Sequence, residues 1–194
     1  MSVDVGESRR RVLAGERDAV GHERYGSGAL AAMVRDVRLL LVALWLGAAV
    51  FFSAAVAPSA FAVLRRFAVP HVNELAGSIV TRTLSIVNTG GFIVGLLLLA
   101  SAFLFSRTVK RRAFYAEIIS LTLLAITTAT GQWVIAAKML ALRAGLGRPI
   151  DEVAQNDPAR IAFNSLHGYS VTALAIGIVA AIVALLLIAR RAHK

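Results

Sequence analysis

Few side chains in this chain are equipped for chemistry, and those that are lie outside the most apolar stretches or at their very ends. The candidates are two histidines, His71 and His167, with Glu74 and the thioether of Met139. Imidazole and thioether together suit copper, and imidazole alone holds a haem iron or the magnesium of a chlorophyll. His167 stands out because it sits in RIAFNSLHGYS, with Arg160, Asn164 and Ser170 around it. At helical spacing these four residues fall on one stripe, which continues as Ala173, Gly177, Ala180 and Ala184. Small residues at steps of three and four mark a face where membrane helices approach closely, so His167 is expected to point into a bundle and not at lipid. Two roles stay open for it. It is a ligand to a metal, haem or chlorophyll, or it is a hydrogen-bonded imidazole tying its helix to the nearby loops. The sequence itself requires no cofactor.

The elements that must position these residues are membrane helices. Of 194 residues, 58% are hydrophobic and 16% charged, and the mean hydropathy is +0.72. Soluble domains are only about 45 to 50% apolar. Four runs, Leu39–Leu64, Leu84–Phe105, Ile118–Ala137 and Leu166–Ala189, are nearly uncharged. Each is long enough to cross about 30 Å of hydrocarbon. The expected fold is all-α, a polytopic bundle of four transmembrane helices over residues 36–194, with spans at about 39–64, 84–105, 115–139 and 164–189. Residues 1–35 mix arginine with acids and glycine and read as a mobile basic cytoplasmic arm.

Charge and cysteine usage narrow the partners. The formal charge of +10 is carried beside the apolar runs. It reads as topology signal and as anchorage to anionic lipid, not as a nucleic-acid surface. The absence of cysteine excludes thiolate metal sites, disulfides and iron–sulfur ligation. Lysines and arginines number seven before the first run, four between the second and third and three after the fourth, against three and four in the other two loops. This places both termini in the cytoplasm of a multi-pass protein of the inner (plasma) membrane. Ser8–Leu13 resembles a twin-arginine signal, but the charged stretch GERDAVGHERYG follows it where an apolar region should begin. Ala60-Phe61-Ala62 resembles a signal-peptidase site, but so long a first run favours an uncleaved anchor.

Within the helices the sequence marks boundaries and contact points. Asp157 before Pro158 predicts the start of the fourth helix, since aspartate caps exposed amides and proline fits the first helical position. Ahead of it, Gly145, Gly147 and Pro149 predict a long connection beginning near Leu140. Pro58 is expected to end or kink the first helix, and Gly47 to supply a close contact. On the second helix Asn88, Gly91 and Gly95 repeat the polar-plus-small pattern, the glycines at GxxxG spacing. On the third, Thr127 and Thr128 can return their hydroxyls to the backbone, but Gln132 is a buried amide that needs partners. Arg82, Glu117 and Lys138 are placed at span ends, where long side chains reach the interface.

The pieces WLGAAVFFSAAVAPSAF (Trp45–Phe61), TGQWVIAAKMLALR (Thr130–Arg143) and Arg160, Phe163, Leu166, His167 and Ser170 at R-x-x-F-x-x-L-H-x-x-S resemble a known family. It is the domain-of-unknown-function 4149 family, the transmembrane-protein-205-like proteins. The resemblance implies a small four-helix membrane fold and carries no activity with it. The first helix also looks distantly like the copper-resistance membrane proteins and their haem-binding relatives. Those carry a histidine early in that helix, where Leu39–Leu44 has none.

No nucleophile triad, Walker motif, HExxH or carboxylate pair is found, so an enzyme is not expected. The leading expectation is a non-catalytic accessory or packing subunit of a larger membrane complex of respiratory or photosynthetic type, with other membrane subunits or further copies of itself as partners. The alternative is a small permease or copper-handling protein that uses the groups around His167.

Overall fold

Inside hydrocarbon every backbone amide must find its partner within the chain, and a helix is the local solution to that demand. The computed structural model describes residues 29–104 and 111–190 and follows this rule throughout. Four helices among the described residues are long and apolar enough to span a membrane: α1, Ala29–Arg66; α2, Val72–Leu104; α3, Arg111–Leu146; and α4, Pro158–Ala189. With no strand among the described residues, the protein is an all-α, multi-pass membrane protein.

The chain divides into two units, Met1–Arg38 and Leu39–Lys194. Of the first, residues 29–38 are described. They are helical, and Arg35 pairs there with Asp36 at 2.7 Å. The rest of the expected cytoplasmic arm lies outside the described residues, as does most of the expected loop between α2 and α3. All packing below belongs to the second unit.

The helices outrun the apolar runs. α2 has 33 residues, about 50 Å at ~1.5 Å each, so its ends project beyond the hydrocarbon. Glu74, expected in a loop, therefore lies in the first turn of α2. The connection expected to begin near Leu140 begins later, because α3 runs on to Leu146. Gly147 closes α3 with φ 60°, a left-handed position that glycine takes without a side-chain clash. The start of α4 matches the expectation: the Asp157 carboxylate accepts from the Ala159 N–H at 2.8 Å, with Pro158 next in the chain. Pro58 does not end α1. The chain widens into a π turn at Phe52–Val56 and continues helical to Arg66, which absorbs the clash and the missing N–H that proline brings. A second π turn, Thr130–Ile135, interrupts α3.

The core is built around Trp45. Its indole N–H donates to the Val87 carbonyl at 2.9 Å, tying α1 to α2. A Cβ on Gly91 would lie 2.5 Å from the indole nitrogen and 2.7 Å from the Thr128 methyl, and one on Gly177 would lie 3.7 Å from the far edge of the ring. Gly91 thus opens the slot that holds the tryptophan, while the tightest neighbour of a Cβ on Gly177 would be the Thr127 hydroxyl at 3.1 Å. Gly95 performs the simpler task of letting α2 meet Ala125 of α3, where a Cβ would come within 3.1 Å. On α4 the seam Ser170, Leu174, Gly177, Ala180, Ala181, Ala184 and Ile188 is buried. Thr127 and Thr128 return their hydroxyls to carbonyls one turn back, at 2.8 Å each.

Two expectations fail for reasons of facing. Gly47 is exposed, and a side chain there would meet nothing within 4 Å, so it makes no close helix contact. Glu117 is fully buried instead of reaching the interface, because it falls in register with Ser120, Leu121 and Leu124 on the inward side of α3.

Adding a methyl group separates the slot from ordinary helix propensity. Gly91→Ala gains up to about 1 kcal/mol of propensity but overpacks Trp45 and Thr128, which costs about 1 to 3 kcal/mol. Its thermal unfolding temperature in detergent is expected to fall. Gly90→Ala, whose Cβ would stand 3.9 Å from the indole, is expected to hold or raise it.

Candidate functional site

Beyond the Trp45–Gly177 contact the bundle contains a cleft of two adjoining cavities. The inner one, about 390 Å³, is walled by α1, α2, α3 and α4. The outer one, about 260 Å³, lies toward the connections at 67–71 and 147–157. Phe61, Val80, Thr81, Met139 and His167 line both, so the two adjoin, with His167 and Met139 at the neck. The inner volume falls within the ~300 to 1,000 Å³ usual for small-molecule sites.

Both π turns face the inner cavity. Phe52 and Ser53 of the first and Gln132 of the second are in its wall. A π turn adds one residue to a helical turn and re-aims its side chains, which is why such turns recur at functional positions. Gln132 is aimed across the cleft at α2, where its Nε2 donates to Ser85 Oγ at 2.9 Å. Its Oε1 is buried and receives no hydrogen bond from any described residue. Next to it Asn88, only 4% exposed, lines the same cavity and makes no hydrogen bond with a described residue. Gly131 leaves the room Asn88 needs, since a Cβ there would lie 2.9 Å from the Asn88 Nδ2. A buried amide left unpaired costs about 1 to 3 kcal/mol. Two such groups in the wall of one cavity form a polar spot built into apolar surroundings.

The outer cavity has a different character. Arg143 and Arg160 are in its lining, with Asn73, Asn164 and Phe163. The Arg143 guanidinium stacks on Phe163 with its carbon 5.0 Å from the ring centroid, and its Nε stands 3.6 Å from Glu74. It also lies over Gly77, where any side chain would displace it. Arg160 donates to the Val153 carbonyl across the connection.

These contacts belong to a lock that holds the connection end together. The Asp151 carboxylate accepts from the Asn73 side chain and, at 3.1 Å, from the Glu74 N–H, so it caps α2 from a distant part of the chain. Glu74 in turn accepts from the Ile150 N–H at 3.2 Å. His71, with Glu152 at 3.6 Å, lies at the edge of the lock. Ala68 and His71 both take left-handed backbone conformations, φ 47° and 54°, to turn the chain between α1 and α2.

The expected site residues are therefore divided. Asn88, Gln132 and Ser170 meet in the inner cavity, Arg160 and Asn164 in the outer one, and His167 and Met139 between them. His71 is not in either wall. Gly91, Gly95 and Gly177 are packing residues outside the cleft. His167 does not tie its helix to the loops. It is exposed in the neck and makes no hydrogen bond to a described residue, and Asn164 one turn earlier is exposed too. The upper part of the stripe faces the cleft, and close packing begins only at Ser170. Among the described residues no three His, Cys, Asp or Glu side chains gather to hold a metal ion. Ser85, Asn73 and Asp151 were not singled out from the sequence. A partner 77 or 78 positions away leaves no local spacing signal.

Removing the capping carboxylate tests the lock. Asp151→Ala is expected to lower stability by about 1 kcal/mol and to speed proteolytic cutting within 147–157. Unchanged melting and unchanged cleavage would mean the cap contributes nothing.

Comparison with known proteins bears on this architecture. No curated protein and no solved structure matches the chain significantly. The likeness to copper-resistance membrane proteins thus finds no support. One family matches, DUF4149, a domain of unknown function, over residues 40–147. That match takes in the Trp45 slot, both π turns and Gln132, and it ends where Gly147 closes α3, before the Arg160–Ser170 stretch. As it spans more than half of the 194 residues, the chain belongs to the DUF4149 family.

Proposed function

We propose that this integral membrane protein has an accessory, non-catalytic role, and that it serves by holding a lipophilic guest between its helices. The observation that carries this reading is the inner cavity of about 390 Å³, apolar except for Asn88, Gln132, a few hydroxyls and the His167 imidazole at its neck. Apolar walls with a small number of convergent polar groups are the usual make-up of a small-molecule site. The exposure of Ser53 and Pro58 on α1 and of Val171 and Ala175 on α4 supports entry from the side, where lipid surrounds the bundle. The charge bias of the loops supports an orientation with the 67–71 and 147–157 connections outward and both termini in the cytoplasm of an inner-type membrane.

A pair of substitutions at neighbouring positions tests the reading. Ala136 lines the inner cavity, and Ala137 is exposed on the outside of α3. Ala136→Phe should fill the cleft, and Ala137→Phe should only add lipid-facing surface. Each protein is taken from its membrane in polymer-bounded discs and extracted with organic solvent, and its lipophilic content is measured by mass spectrometry. The wild type and Ala137→Phe are expected to retain close to one equivalent of a shared species that Ala136→Phe loses while staying helical. Identical extracts from all three would contradict the proposal.

A further inference from the structure

We infer that the guest is a neutral, lipid-soluble molecule bearing a hydroxyl. Its hydroxyl sits against Gln132 and Asn88, and its apolar body fills the cleft toward the gap between α1 and α4. This inference rests on the reading of the cleft as a guest site and specifies the guest's chemistry.

The polar groups fix the functional group. Ser85 engages the Gln132 amide through Nε2 at 2.9 Å, and one hydroxyl cannot serve both ends of that amide. The buried Oε1 therefore calls for a donor that no described residue supplies. Asn88, only 4% exposed, offers both an acceptor and a donor in the wall of the same cavity. A hydroxyl both donates and accepts, so it can donate to Gln132 Oε1 while receiving from Asn88 Nδ2. An ether or a ketone can only accept, and would leave Oε1 unpaired.

Charge fixes neutrality. Among the described residues the inner cavity is lined by no Asp, Glu, Lys or Arg side chain, His167 stands only at its neck, and both arginines of the cleft belong to the outer cavity. An ionised group at the depth of Asn88 would lose its hydration without gaining a counter-ion. The walls fix the body. Leu84, Leu174, Ile178, Phe52 and Phe61 surround the polar spot, and a space of about 390 Å³ is far more than one water needs. Filling it with water would place most of those molecules against hydrocarbon.

Two probes that differ only by a methyl on the phenolic oxygen test the inference: 4-octylphenol and its methyl ether, titrated into the wild-type protein in lipid nanodiscs, with empty discs correcting for partition. Binding is read from the shift in melting temperature and from competition with the co-purified species. The phenol is expected to bind about tenfold or more tightly than the ether, because the ether leaves the buried oxygen unmet. Gln132→Met, which keeps chain length and removes the acceptor, should bring the ratio to about one with the ether's affinity little changed. Equal binding of both probes to the wild type would overturn the hydroxyl inference and leave the cleft reading standing. Binding of neither probe would overturn the inference, and identical extracts from the cleft-filled variant would then remove the reading beneath it. The wild-type comparison decides the matter even if Gln132→Met fails to fold.

Discussion

A polar group surrounded by hydrocarbon has only its own protein to bond with, and this constraint accounts for most of what the bundle looks like. It puts the described backbone of the spans into helices. It sends the hydroxyls of Ser53, Ser120, Thr127 and Thr128 back to carbonyls of their own helix at 2.8 Å. It directs the single buried indole N–H at Trp45 to a carbonyl of the next helix. Against that background, an amide oxygen with no donor and a neighbouring asparagine with no bond among the described residues are conspicuous. Both face the same cavity, so one outside group can answer both.

The middle and the connection end of the second unit are held by different physics. Around Trp45 the helices are joined by close approach, and glycine at position 91 matters for the volume it lacks. At the connection end the chain is held by charge and hydrogen bonds, with Asp151 capping α2, Glu74 reaching both Ile150 and Arg143, and Arg160 fastened to Val153. The cleft lies between these two fastenings, where the π turns of α1 and α3 face it. A widened turn in each wall is a means of opening space between helices that are pinned above and below.

What the sequence made legible was local or periodic. The Asp157-Pro158 start of α4 was readable because capping is decided within three residues. The small-residue seam from Ser170 to Ala184 was readable because its period is that of the helix. The four spans were readable from hydropathy, but their true lengths were not. A helix does not stop where apolar residues stop, so α2 begins at Val72 and α3 runs to Leu146. Pro58 failed as a helix end because a π turn supplied an accommodation that no residue type announces. Which glycine meets a neighbour, 91 rather than 47, and which carboxylate is buried, Glu117, depend on how the helices are rotated against one another. The partnership of Gln132 with Ser85 spans 47 residues. The sequence could say only that Gln132 needed a partner. It pointed to His167 as the centre of a site, whereas the unpaired groups lie deeper, at Asn88 and Gln132.

The central claim is that the Asn88–Gln132 spot is met by an organic guest and not by water. Solid-state NMR of the protein in bilayers, with asparagine and glutamine side-chain amides labelled with ¹⁵N and the Gln132 signal assigned by Gln132→Met, addresses it directly. The account predicts through-space transfer to the Asn88 and Gln132 amides from non-protein carbon-bound protons, with little transfer from the water resonance. Strong transfer from water and none from an organic molecule would contradict it.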